Sequence, residues 1–234
     1  MLIERSHELQ FTGRYGLFIA RQIELCFSGI IAAAVFSLDF YFDRMDVIPD
    51  AAGAIFFGFA VILISRKRYE RIAGILLSAC YAFISVWNIF SCHVFNEEYS
   101  LSGVFYTAST TEKYIELEIY AVLEATLGFL CLLFALRLVL IKVKKTTTAY
   151  CHQLYAVKPE ECARDYAFEV RRSMVGCSIV GALHFSSKVV YCFLLPYSNY
   201  VSVLSAITAV FILIRMLTLS SLVRQGLCDR IKEL

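Results

Sequence analysis

Ionisable side chains inside long apolar runs are the first place to look for chemistry, because each costs a few kcal/mol to hold in lipid. Three stand out here: Glu124, His184 and Lys188. Glu124 falls about five residues inside one apolar run and Lys188 about seven inside another, so both lie roughly 8–11 Å below the same surface. His184 and Lys188 are four positions apart and share one face of a helix. A carboxylate, an imidazole and an ammonium at this depth suit proton relay or the gripping of a charged solute. The same three groups also suit a structural role, as a buried ion pair and a hydrogen-bonded histidine that fix helix register.

Asp39, Asp43, Asp46 and Asp50 form a second candidate set, spaced four, three and four. On one continuous helix they would share a face and offer an oxygen-rich site for a hard cation such as calcium. Pro49 argues against that continuity, since proline fits the first turn of a helix. The reading is then a cap, with Asp50 beside the positive end of a helix dipole and Gly53 allowing close packing. Glu24, Arg21, Arg137 and Arg215 lie near the other ends of the apolar runs, where long side chains reach the headgroups as anchors.

Other chemistry lacks a signature. The chain has no HExxH, no GxSxG and no phosphate-cradling glycine loop. Its nine cysteines include no CxxC pair, and most sit in apolar runs, where cysteine serves as a small apolar residue. Cys151, His152 and Cys162 share a polar segment without the fourth ligand and close spacing of a zinc site. No metal, no cofactor and no enzymatic activity are expected.

These residues must be positioned by membrane helices. Of the 234 residues, 59% are hydrophobic and 18% charged, with a mean hydropathy of +0.66; soluble domains average about 45–50% and 25%. Six apolar runs, 23–42, 47–65, 72–92, 119–141, 173–195 and 200–222, are each about long enough to span a bilayer core. The fold class expected is a single all-α domain, a polytopic membrane bundle of six helices, because in lipid every backbone polar group must be satisfied within its own helix. The 196–199 turn makes the last two helices a tight hairpin. No small-residue cleavage site follows the first run, so that helix is expected to be retained.

Lys and Arg favour cytoplasmic loops. Placing both termini, the 66–71 turn and the 137–172 region inside accounts for all 22 basic residues except Arg44, Lys113 and Lys188. The expected orientation is therefore N-in, C-in. The net charge of +2 gives no footing for a nucleic-acid partner. The partners expected are the bilayer and a membrane protein or second copy. The inner segment 142–172 reads as a loop with a threonine linker, Thr146 to Thr148, and an amphipathic helix starting near Pro159, Glu160 and Glu161 and lying on lipid.

Asp46, Pro49, Asp50 and Gly53 spell Asp-x-x-Pro-Asp-x-x-Gly at the start of an apolar helix, followed by Gly58 and the basic 66–71 turn. This resembles a family of uncharacterised polytopic membrane proteins of Firmicutes and related bacteria. It departs from them at Ala51 and Ala52, where the family carries aromatic residues. The resemblance implies a bacterial cytoplasmic membrane and brings no activity with it. Two functions follow from the residues: a membrane scaffold or regulatory subunit, or a small ion or solute transporter using Glu124, His184 and Lys188.

Overall fold

A computed structural model of the protein describes residues 2–36, 41–42, 45–46, 50–98, 108–193 and 198–233. The chain runs α1 (Leu2–Phe36), β1 (Tyr41–Phe42), β2 (Met45–Asp46), α2 (Asp50–Ile64), α3 (Arg68–Glu98), α4 (Ala108–Leu154), α5 (Pro159–Phe193) and α6 (Ser198–Val223). A π-helical turn, Arg224–Cys228, then leads into α7, Asp229–Lys232. The only ladder among the described residues is the antiparallel pair of β1 and β2, which sets Tyr41 opposite Asp46.

Among the described residues, four stretches are long and apolar enough to cross a bilayer: Tyr15–Phe36, Arg68–Trp87, Val122–Leu154 and Ala206–Lys232. They mark an all-helical membrane protein. α2 is apolar but has only 15 residues, and the second half of α5 carries Ser173, Ser178, His184, Ser186 and Ser187. Large apolar side chains such as Ile55, Leu76, Phe83, Ile207, Phe211 and Leu217 point outward, as expected where lipid is the solvent.

Each helix packs on the next, α6 and α7 return to α1, and α4 also touches α1 and α2. Small residues set the register by letting backbones and rings approach closely. A Cβ on Gly74 of α3 would stand 2.3 Å from Val61 of α2 and 3.0 Å from Phe134 of α4. One on Gly128 of α4 would stand 2.4 Å from Phe185 of α5 and 3.1 Å from Tyr81 of α3. One on Gly181 of α5 would meet Leu132 of α4 at 2.6 Å. These contacts fix how α3, α4 and α5 slide past one another.

The segment 142–172 departs from its expected form. The helix expected from Pro159 is present, but as the first half of α5, and the rest is not a loop: α4 continues to Leu154 and a turn at 155–158 reverses the chain. The three threonines are helical rather than a linker, and Thr146 and Thr147 are buried. The physical reason is a continuous buried stripe, Ala163, Tyr166, Val170, Met174 and Cys177, spaced three or four residues apart as one helix face requires. It runs without a break from the turn into the apolar half of α5. The stripe packs against a small cap built from the ends of α1 and α4, the π turn and α7, with Tyr150, Leu227 and Ile231 buried inside it.

Candidate functional site

The α4–α5 register places the expected set. Gly128 opposite Phe185 and Leu132 opposite Gly181 are the same antiparallel pairing, and one turn further along it the Lys188 position comes level with Glu124. Glu124 is half-buried. The Lys188 side chain lies outside the described residues, so only its position on α5 is assigned. On α3 the Tyr81–Gly128 contact brings buried Ser85 to the level of Glu124.

His184 is 1% exposed. Its Nδ1 lies 3.4 Å from the Thr208 hydroxyl of α6, and its ring meets Phe185 edge-on, with centroids 5.4 Å apart. The Ser187 hydroxyl donates to the His184 carbonyl at 2.6 Å. Four helices, α3 to α6, thus contribute polar groups at two neighbouring levels, Glu124 and Ser85 at one and His184 and Thr208 at the next, roughly 7 Å apart along the helices. Ser85 and Thr208 were not singled out in the sequence, because an uncharged hydroxyl in an apolar run has no signature of its own.

Asp39 and Asp43 lie outside the described residues, Asp46 is the last residue of β2, and Asp50 heads α2 with its carboxylate buried. Asp50 stands where the first-turn amides and the dipole favour a negative charge. Cys151, His152 and Cys162 are apart in character. Cys151 is buried, His152 is exposed, and the Cys162 thiol donates to the Val157 carbonyl at 3.5 Å. No group of three or more His, Cys, Asp or Glu able to hold a metal occurs among the described residues.

No protein family, no curated protein and no solved structure matches this chain. The geometry is therefore the only guide to function.

A cavity of about 270 Å³ opens elsewhere, between α1 and the hook formed by the end of α6, the π turn and α7. Glu24, Ser28, Ser220, Arg224 and Lys232 form its polar lining over a floor that includes Ile23 and Phe27. Its charges are already paired: Lys232 with Glu24 at 2.5 Å and with Asp229 at 3.5 Å, and Arg224 with Asp229 at 3.6 Å. Gln22 of α1 bonds Lys142 of α4, which sets the cavity some eighteen residues, roughly 27 Å, along α4 from Glu124.

The hook is held from α5. The Tyr166 hydroxyl donates to the Leu222 carbonyl at 3.3 Å, just where the switch to π bonding disturbs the regular pairing of helix carbonyls. Burial pushes the Tyr166 phenol well above its ordinary range. On the other side of the cap, the Arg230 guanidinium sits 5.6 Å above the Tyr155 ring, a cation–π contact.

Proposed function

We propose that this chain is a non-enzymatic scaffold or regulatory subunit of a bacterial cytoplasmic membrane, crossing it six times with both termini inside. The helical cap is its partner-binding part. The observation that carries the reading is the extension of α4 and α5 beyond the apolar runs, by 142–154 and 159–172, which is roughly 20 Å of helix on each side of the turn. Val157 in the turn is 73% exposed and Phe168 is 67% exposed. Exposed apolar groups on a rigid projection are what a partner surface needs. The resemblance of the Asp46 to Gly53 element to bacterial membrane proteins supports the location.

A photo-crosslinking residue at Phe168 in the full chain, in native membranes, tests this. The expected result is a discrete protein adduct, from a partner or a second copy, that is absent when the probe replaces the lipid-facing Phe211. Adducts to lipid alone at Phe168 would remove the reading. Alkylation of a cysteine placed at Lys158 only after permeabilisation, with the 99–107 segment labelled in intact cells, tests the orientation.

A second reading has its own support in the polar groups Glu124, His184, Thr208 and the Lys188 position, which suit ion- or proton-coupled transport. Glu124→Gln in reconstituted vesicles discriminates the two. Under transport a proton- or ion-coupled flux is present in the wild type and lost in the variant, whereas under the scaffold reading neither protein carries one.

A further inference from the structure

Lys142 of α4 is half-buried at the level where the α2–α3 turn meets the bundle. The contact of Gly74 with Val61 and Phe134 sets that level: following α2 and α4 one turn on brings Ser65 and Arg66 beside 138–139, with Lys142 one turn beyond. The charges felt by Lys142 are those of Arg66 and Lys145, both cations. Its ammonium donates to a neutral group, Oε1 of Gln22, at 3.4 Å. Arg71 adds a third guanidinium or ammonium neighbour to the turn, donating through Nη2 to the Ser65 carbonyl at 3.3 Å.

Among the described residues none of Arg66, Arg71, Lys142 or Lys145 has a carboxylate within ion-pair distance. Glu24, the nearest acid on α1, is held by Lys232. Glu70 acts on Lys67, which also donates to the Tyr69 hydroxyl at 3.0 Å. The Ser65 hydroxyl is buried with no hydrogen-bond partner. Lys142 is half-buried while Arg66, Arg71 and Lys145 are exposed around it, and cations so gathered repel one another unless an anion joins them.

We propose that the notch between α1, the α2–α3 turn and α4 binds a phosphate group, supplied by an anionic phospholipid headgroup. Arg66 and Arg71 offer planar donors matched to phosphate oxygens, and Lys142 supplies a point charge from the inner side. The position is that of a headgroup: Tyr69 is 63% exposed beside the notch, as in an interfacial aromatic belt, and Ile72 and Leu76 continue below it as exposed apolar surface on which acyl chains can lie. Basic pockets between membrane helices bind such headgroups in general. The inference does not depend on the cap being a partner surface.

The test uses the full chain in a neutral detergent, titrated by native mass spectrometry with phosphatidylglycerol, phosphatidylcholine or inorganic phosphate. Phosphatidylglycerol should bind roughly tenfold tighter than phosphatidylcholine, and R66Q/K142Q should lose most of that difference. K158Q/R164Q, which removes the same charge from the cap, should keep it. Competition by millimolar phosphate would assign the site to a soluble phosphate instead of a lipid, while leaving the anion site in place. Equal binding of the two lipids, or equal loss in both double variants, overturns the proposal. A measurement on the wild type guards against misfolded variants: acetylation of Lys142 should slow several-fold with phosphatidylglycerol and not with phosphatidylcholine, while Lys158 is unchanged. Unprotected Lys142 would also overturn it.

Discussion

The ring of Tyr166 occupies the space that a side chain at Gly226 would need: a Cβ there would stand 2.3 Å from Tyr166 Cε2 and 2.9 Å from its hydroxyl. α5 is thereby keyed into the π turn at the end of α6. Gly226→Ala has two opposed effects. Alanine improves helix propensity by about 1 kcal/mol, whereas overpacking against a ring pinned by its hydrogen bond costs about 1–3 kcal/mol. Overpacking should win, and the melting temperature in detergent should fall. Adding Tyr166→Leu should recover part of the loss, because the clashing ring atoms are gone.

The same tyrosine predicts an alkaline sensitivity. Burial raises the Tyr166 phenol above its ordinary value of 10.0, so the folded state holds the proton that the unfolded chain releases. The resulting stability is complete below about pH 10 and is lost as pH rises beyond it. Wild type should therefore lose thermal stability as pH rises above about 10, by an amount set against Tyr166→Phe under the same conditions. The phenylalanine variant starts about 1 kcal/mol lower at neutral pH, from the lost bond to the Leu222 carbonyl, and declines less steeply with alkali. Parallel declines in the two proteins would show that Tyr166 is not the group responsible.

Gly128 and Gly176 make a matched pair. A Cβ at Gly128 would lie 2.4 Å from Phe185 Cε1, while one at Gly176 meets nothing within 4 Å. Gly128→Ala must displace Phe185, or Tyr81, which is fully buried, and should destabilise by about 1–3 kcal/mol. Gly176→Ala should be neutral or stabilising by up to about 1 kcal/mol. Thermal melts of both variants in one detergent check this contrast, and equal losses would contradict it.

How much of this was legible beforehand depends on the kind of signal. The apolar runs around Ile30, Leu132 and Met216 announced membrane helices, because burial in lipid selects residue type over about twenty positions at a time. The cap was not legible. Tyr166, Tyr150 and Ile231 belong to segments of mixed polarity, and only tertiary packing reveals that α4 and α5 continue through them. The depth match of Glu124 and Lys188 could be reckoned from distance along each helix, and the observed register puts their positions level. That His184 would face Thr208, and that Arg66 would approach Lys142, depended on helix rotation, which side-chain spacing within one helix does not encode.

His184 and Thr208 offer the sharpest test of what the polar groups do. Their Nδ1–Oγ1 separation of 3.4 Å is long for a hydrogen bond, and polar pairs between membrane helices contribute about 0.6 kcal/mol on average. A double-mutant cycle of His184→Leu and Thr208→Val should therefore give a coupling of about 0.5 kcal/mol, well below the cost of either change alone. His184 is nearly inaccessible, so its imidazole is well placed to hold α5 against α6 and poorly placed to exchange protons with water. His184→Gln retains a donor and an acceptor, so it should restore most of the stability lost in His184→Leu and leave the Phe168 crosslink intact. If His184→Gln folds normally yet abolishes a proton-linked flux in vesicles, the imidazole is a relay, and the transport reading replaces the scaffold.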